Sequence, residues 1–220
     1  MAKQFDREEV EEKLIAKITN SKYNNIKEIN YRSLVENRIE YFKGIEPNVT
    51  KTLDIIAKNT GGELAGLDFK LKNSESLYRK VKDDVKEKNI TFSNALYEVN
   101  DILRYTLVQN ENNFTDTYFL VKKFLEKQGY SIMRVKNTFK NNVTYKGINT
   151  LVKDDKGNIF ELQFHTHKSL HIKENELHEL YEKQRVLDFS IDDVLYKKLI
   201  QKMINLSNTI NIPKGVERIR

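Results

Sequence analysis

The sequence predicts an α/β (α+β) chain, a mixed β-sheet of about four or five strands flanked by helices and preceded by a helical N-terminal subdomain. Three observations predict it. Residues 1–60 carry apolar side chains at helical spacing. Beyond them, short alternating runs interleave with segments of period 3.6. The stretch Asp154-Asp155-Lys156-Gly157-Asn158 is a hairpin turn signal joining two such alternating runs.

Each element has its own reason. Asp6 and Glu9 have capping-box spacing, and Val10, Leu14, Ile15 and Ile18 follow with helical period, so 6–19 is expected to be a helix. Leu34, Val35, Ile39 and Phe42 share one face of a second, over 27–43. Gly44 and Pro47 are expected to break it, and Leu53, Ile56 and Ala57 mark a third that Gly61-Gly62 ends. The period then changes. Leu67, Phe69 and Leu71 alternate with Asp68, Lys70 and Lys72, which reads as a strand. Ser74 or Ser76 can cap a helix over 76–88, and a short helix over 94–99 leads to a strand at 102–108. A helix over 116–128 stops at Gly129. Strands are expected at 130–136, 145–152 and 159–166, and helices over 170–187 and 191–208.

Composition removes several chemistries. There is no cysteine, so disulfides, thiolate zinc sites and cysteine nucleophiles are excluded. A metal would be held by oxygen or imidazole, and oxygen-rich sites favour magnesium, manganese or calcium. The net charge of +6 suits a polyanionic partner, and a solvated lysine-rich surface gives the same number. No run approaches the roughly 18 apolar residues of a membrane span. MAKQFDREEVEEKL lacks the apolar core of a secretory signal. A cytoplasmic chain without membrane partners is expected, in the producing cell or a target cell.

Four constellations could carry chemistry. In LDFKLKNSESLYRK, Lys70 and Lys72 lie before a helix that begins near Ser74 and Ser76 and carries Arg79 and Lys80. Cations and hydroxyls at a helix N-terminus can cradle phosphates, and the same residues also suit an ordinary capped helix. No GxxxxGK[ST] loop is present. In NDILRYTLV, Asp101 opens an apolar strand with Arg104 three residues on, a position for a magnesium ligand or for a cap and ion pair. Tyr145, beside Gly147 and Asn149, could stack on a nucleobase or sit as an ordinary strand tyrosine. In FELQFHT, Glu161, Gln163 and His165 point to one face of a strand while Leu162 and Phe164 point to the other. That polar row suits a metal ion and a polar substrate, or the wet face of an antiparallel sheet. All four histidines (165, 167, 171 and 178) fall here without a strong zinc spacing, and His178 shares a helical face with Tyr181.

In this order the motifs resemble the RelA/SpoT-type nucleotide pyrophosphokinase (alarmone synthetase) domain, and its divergent members in phage-associated and polymorphic toxin proteins. The resemblance covers about 61–185 and implies a nucleotidyltransferase-like fold. The implied division is a helical subdomain over 1–60, a synthetase-like catalytic domain over 61–187, and a C-terminal helix and tail over 188–220. The implied reaction transfers the β,γ-pyrophosphate of ATP to a ribose hydroxyl of a purine nucleotide. In it Lys72, Ser76 and Lys80 grip the ATP phosphates, supported by Lys70 and Arg79. Asp101 and Glu161 hold Mg2+, or Mn2+ in its place, with Arg104 beside them, and Glu161 helps activate the acceptor hydroxyl. Tyr145 stacks on the acceptor base, while Asn149, Gln163 and His178 shape its pocket. The family's usual strand arginine is Lys70 here, its histidine after the Tyr/Gly pair is Asn149, and Asp101 and Arg104 stand one residue closer together than usual. The 3′ end of tRNA is an alternative acceptor, and a non-catalytic nucleotide- or RNA-binding module is an alternative use of the same fold. A growth-inhibiting toxin role, with an antitoxin or immunity protein as partner, follows from the toxin-like members.

Overall fold

The computed structural model describes residues 7–187 and 191–220. The chain packs as two compact units. One comprises the residues up to Phe42 together with Asn73–Val99, the other Lys43–Lys72 together with Asn100–Arg220. A single helix, α1 (Arg7–Thr60), contributes to both, where three helices were expected. Pro47 lies inside it. The buried residues explain the continuity. Val35, Ile39, Phe42, Val49, Leu53 and Ile56 are buried at spacings of three, four or seven, so one apolar stripe runs past Gly44 and Pro47 without a change of phase. Asp6 of the expected capping box lies outside the described residues.

In the first unit α1 is joined by α2 (Ser74–Lys88) and α3 (Phe92–Glu98). Leu77, Tyr78, Val81, Phe92, Ala95 and Leu96 are buried, and Tyr31 stacks on Phe92 with ring centroids 4.0 Å apart. The cap of α2 is Asn73, whose side chain accepts from the Ser76 N–H at 2.8 Å, where a serine cap was expected. Asparagine reaches the same donor with a carbonyl oxygen and fits the extended backbone of that position.

The second unit holds a five-stranded sheet in the order β1-β2-β5-β4-β3. The strands are β1 (Glu63–Ala65), β2 (Arg104–Gln109), β3 (Ser131–Asn137), β4 (Ile148–Lys153) and β5 (Ile159–Thr166). The central pair β2–β5 is parallel and the other pairs are antiparallel. The mixed sheet and its flanking helices are the α+β architecture expected. Asp154 builds the β4–β5 hairpin by accepting from the backbone N–H groups of Lys156 and Asn158, with Gly157 at φ 88°.

One expected strand is replaced. Leu67–Phe69 is a 3-10 turn, Phe69 is exposed, and only Leu71 makes a bridge, to Leu103. The alternation there is a coincidence of spacing, because Phe69 has no apolar layer to enter.

The two faces of the sheet differ. On one, Tyr105, Leu107, Phe160, Leu162, Phe164, Ile148 and Val152 are buried. They pack under α4 (Phe114–Lys127), where Tyr118 meets Phe164 edge-on at 4.8 Å, and under the C-terminal half of α1, where Thr50 Oγ1 lies 2.7 Å from the Tyr105 hydroxyl. The other face carries Arg104, Thr106, Asn149, Glu161, Gln163 and His165. Its outer cover is a helical run of α5 (His167–Ile172), a π turn (Lys173–Leu177) and α6 (His178–Gln184). Next comes α7 (Asp193–Asn208), and a C-terminal segment closes the chain.

Candidate active site

The polar face of the second unit is graded from wet to dry along β5. Glu161 is half-buried, whereas Gln163 and His165 are buried. The parallel register sets Arg104 of β2 beside Glu161, and the antiparallel register sets Asn149 of β4 beside Gln163. The alternation Glu161, Gln163, His165 thus falls on one face as the sequence implied, and the two flanking strands supply its neighbours.

Hydrogen bonds tie these groups together. Asn149 Nδ2 donates to Glu161 Oε1 at 3.3 Å, and Gln163 Nε2 donates to the same oxygen. Among the described residues no hydrogen-bond donor reaches Glu161 Oε2. Lys173 Nζ donates to Gln163 Oε1 at 3.0 Å. The Tyr145 hydroxyl donates to Asn149 Oδ1 at 2.8 Å and lies 2.8 Å from His165 Nε2, while His165 Nδ1 lies 2.8 Å from Ser169 Oγ. Thr166 and Ser169 form a capping box at the start of α5, which places that serine.

Burial governs the titrations. The Tyr145 hydroxyl is pushed far above its ordinary range, first by burial and then by the Glu161 charge, with Arg104 opposing. Burial, helped by Lys173, pushes His165 down to about 3, so the ring is neutral in the folded protein. Burial and the Arg104 charge lower the Lys173 ammonium, against Glu174 and Glu161.

A second group stands at the start of β2. Lys72 N–H donates to the Ile102 carbonyl at 2.8 Å, and Arg104 N–H donates to the Lys70 carbonyl at 2.7 Å. These two bonds flank the Leu71–Leu103 bridge and bring Lys72 Nζ to 2.9 Å from Asp101 Oδ2. Lys70 turns away, donating to the Leu67 carbonyl and standing 3.6 Å from Glu46.

The other expected residues have partners of their own or none in this network. Ser76, Arg79 and Lys80 lie on α2 in the first unit, where the Ser76 N–H is taken by Asn73 and Lys80 pairs with Asp84 at 2.5 Å. His178 opens α6, exposed and outside the hydrogen-bonded network. Lys173 and Ser169 were not anticipated. Ser169 had a signal, because it stands three residues after Thr166 at capping spacing. Lys173 had none, since its place depends on a π turn.

The fold is also found in solved proteins. A crystal structure of the Type VI effector Tas1 in complex with its immunity protein superposes with a TM-score of 0.54 at 16% identity, covering 83% of this chain and 96% of that one. The small alarmone synthetase 2 from Bacillus subtilis superposes with a TM-score of 0.50 at 14% identity, covering 80% and 98%. The fold is that of the alarmone synthetases. No family model matches the sequence, and no curated protein matches it. Here Glu161 of β5 and Arg104 of β2 are partners in the parallel register, and the Lys72–Asp101 pair stands just before β2. One acceptor-only group and two cations can take a proton and offset phosphate charge.

Proposed function

We propose that this chain transfers the β,γ-pyrophosphate of ATP to a ribose hydroxyl of a purine nucleotide, releasing AMP, as an alarmone-type pyrophosphokinase. The observation that carries the reading is Glu161 on the polar face of this fold, anchored through Oε1 by two amides, with no donor to Oε2 among the described residues. The acceptor hydroxyl gives its proton to Glu161 as its oxygen bonds to the β-phosphorus. The bond from that phosphorus to the α–β bridging oxygen breaks, and AMP leaves with the bonding electrons. Little covalent work falls to the protein in phosphoryl transfer, so positioning and charge neutralisation dominate. Arg104 faces the developing charge beside Glu161. Lys72 can exchange Asp101 for a phosphate oxygen. Tyr145, Asn149 and Gln163 wall the acceptor side.

Magnesium, or manganese in its place, would be held by Asp101 and Glu161 and would neutralise the phosphates. Two carboxylates suit an ion that keeps waters and shares substrate phosphates. Among the described residues no group of three or more histidine, aspartate or glutamate side chains could hold a metal alone. The Type VI effector of the same fold supports a growth-inhibiting role and an immunity-type partner for this chain. Growth arrest on expression of the wild type, absent with Glu161→Gln, is the expected sign of that role.

The test is mass spectrometry after incubation with ATP, magnesium and a mixture of GDP, GTP, ADP, AMP and tRNA. The expected result is AMP release coupled to an acceptor heavier by one pyrophosphate, abolished by Glu161→Gln. An acceptor peak on tRNA alone would move the substrate to the tRNA 3′ end. Wild-type protein that releases no AMP and modifies no acceptor would overturn the reading.

A further inference from the structure

The two amides that hold Glu161 are themselves held. A carboxylate only accepts, so the Asn149 atom facing it is Nδ2, and Oδ1 must face Tyr145. Tyr145 has one proton, which goes to Oδ1 at 2.8 Å, so its oxygen accepts from His165 Nε2 at 2.8 Å. Nδ1 of the neutral ring is then an acceptor, and Ser169 Oγ stands 2.8 Å from it. The same hydroxyl also reaches the Thr166 carbonyl, at the longer distance of 3.1 Å. Donation therefore runs one way, from Ser169 through His165, Tyr145 and Asn149 to Glu161. A shorter arm does the same from the other side. Lys173 only donates, so it fixes Gln163 Oε1 toward itself and turns Nε2 toward the carboxylate.

We propose that His165 is a positioning residue which, protonated on Nε2, orients Asn149 through Tyr145 and so sets the Glu161 carboxylate, with Lys173 acting in parallel through Gln163. The ring is fully buried, at 0% exposure. The packing around it leaves no slack. A Cβ at residue 147 would lie 2.5 Å from the Tyr145 hydroxyl and 2.7 Å from His165 Cε1, so glycine there lets both rings seat against the backbone. The low basicity of the buried ring agrees with a single ring proton.

The inference rests on the reading of Glu161 as the base, and the experiment separates the two. Steady-state kinetics compare wild type, His165→Phe, His165→Gln, Tyr145→Phe and the Tyr145→Phe/His165→Phe pair. His165→Phe is expected to lower kcat about 10- to 100-fold and leave KM for ATP within about twofold, because a displaced catalytic group costs rate more than binding. His165→Gln keeps a donor toward Tyr145 and is expected to recover part of the loss. The double variant is expected to lose no more than the worse single one, since both act through one chain. Unchanged kcat, an effect on KM alone, or additive losses would overturn the proposal and leave the reaction standing. Side-chain 15N NMR gives a readout that needs neither turnover nor the phenylalanine variant to fold. The wild-type His165 proton is expected on Nε2, and Tyr145→Phe is expected to shift the Asn149 amide resonances and not those of Gln163. A proton on Nδ1, or an unmoved Asn149 amide, would overturn the proposal even in a protein that transfers nothing.

Discussion

Gly147 sets the tolerance of the site at the scale of one residue. A methyl group there meets the Tyr145 hydroxyl oxygen at 2.5 Å and His165 Cε1 at 2.7 Å, and neither side chain can swing away without breaking a hydrogen bond. Gly147→Ala is expected to cost about 1–3 kcal/mol, the usual range for overpacking, read as a lower urea midpoint. A second residue-scale prediction concerns pH. The unfolded chain titrates His165 near its ordinary 6.5, and the folded chain holds it down to about 3. Below 6.5 the unfolded state binds the extra proton, so stability is full above 6.5 and falls as the pH drops toward 3. The loss approaches ~1.4 kcal/mol per pH unit. The difference in unfolding free energy between wild type and His165→Gln should therefore shrink between pH 7 and 5, and a constant difference would show that the ring is not buried neutral. Glu161, Gln163 and His165 were legible because strand alternation fixes which way each points. Asn149 and Tyr145 were legible as a spacing, and their real partners were not. The partners depend on strand register and on the start of α5, both long-range outcomes.

At the scale of elements, caps and stripes carry the argument. The start of α2 depends on Asn73, which satisfies the Ser76 N–H. Asn73→Ala is expected to cost about 1 kcal/mol, whereas Ser74→Ala should stay within about 0.5. Thermal melts of the two variants check this, and equal losses would return the cap to serine. The strands at β3, β4 and β5 and helices α2, α4 and α7 were readable from local period and from turn residues such as Gly129 and Gly157. Two readings gave way for physical reasons. Pro47 was weighed as a helix breaker, yet the apolar stripe keeps its phase across it, and burial of Val49, Leu53 and Ile56 outweighs one lost backbone hydrogen bond. The run Leu67–Leu71 alternates like a strand, yet β1 has already taken the place beside β2 through Glu63–Ala65, so only Leu71 finds a partner.

For the molecule as a whole, the sheet separates stability from chemistry. Its apolar face is filled by Tyr105, Phe160, Leu162 and Phe164 under α1 and α4, and its polar face carries the candidate site. Among the described residues no helix is long and apolar enough to cross a membrane, and no ligand cluster could make a metal part of the fold. Asp101 already has a partner in Lys72, and Glu161 has two in Asn149 and Gln163, so neither carboxylate needs an ion to stay in place. Stability and metal dependence should therefore come apart. Chelation with EDTA is expected to abolish pyrophosphate transfer, restored by excess magnesium or manganese, while the thermal midpoint without nucleotide stays within about 1 °C. A midpoint that fell steeply on chelation would mean the ion belongs to the fold, because a ligand that binds only the native state stabilises it by mass action. Transfer that survived chelation would instead leave charge neutralisation to Lys72 and Arg104 alone. In that case Lys72→Ala should cost more rate than Asp101→Asn, and kinetics of those two variants would reveal it.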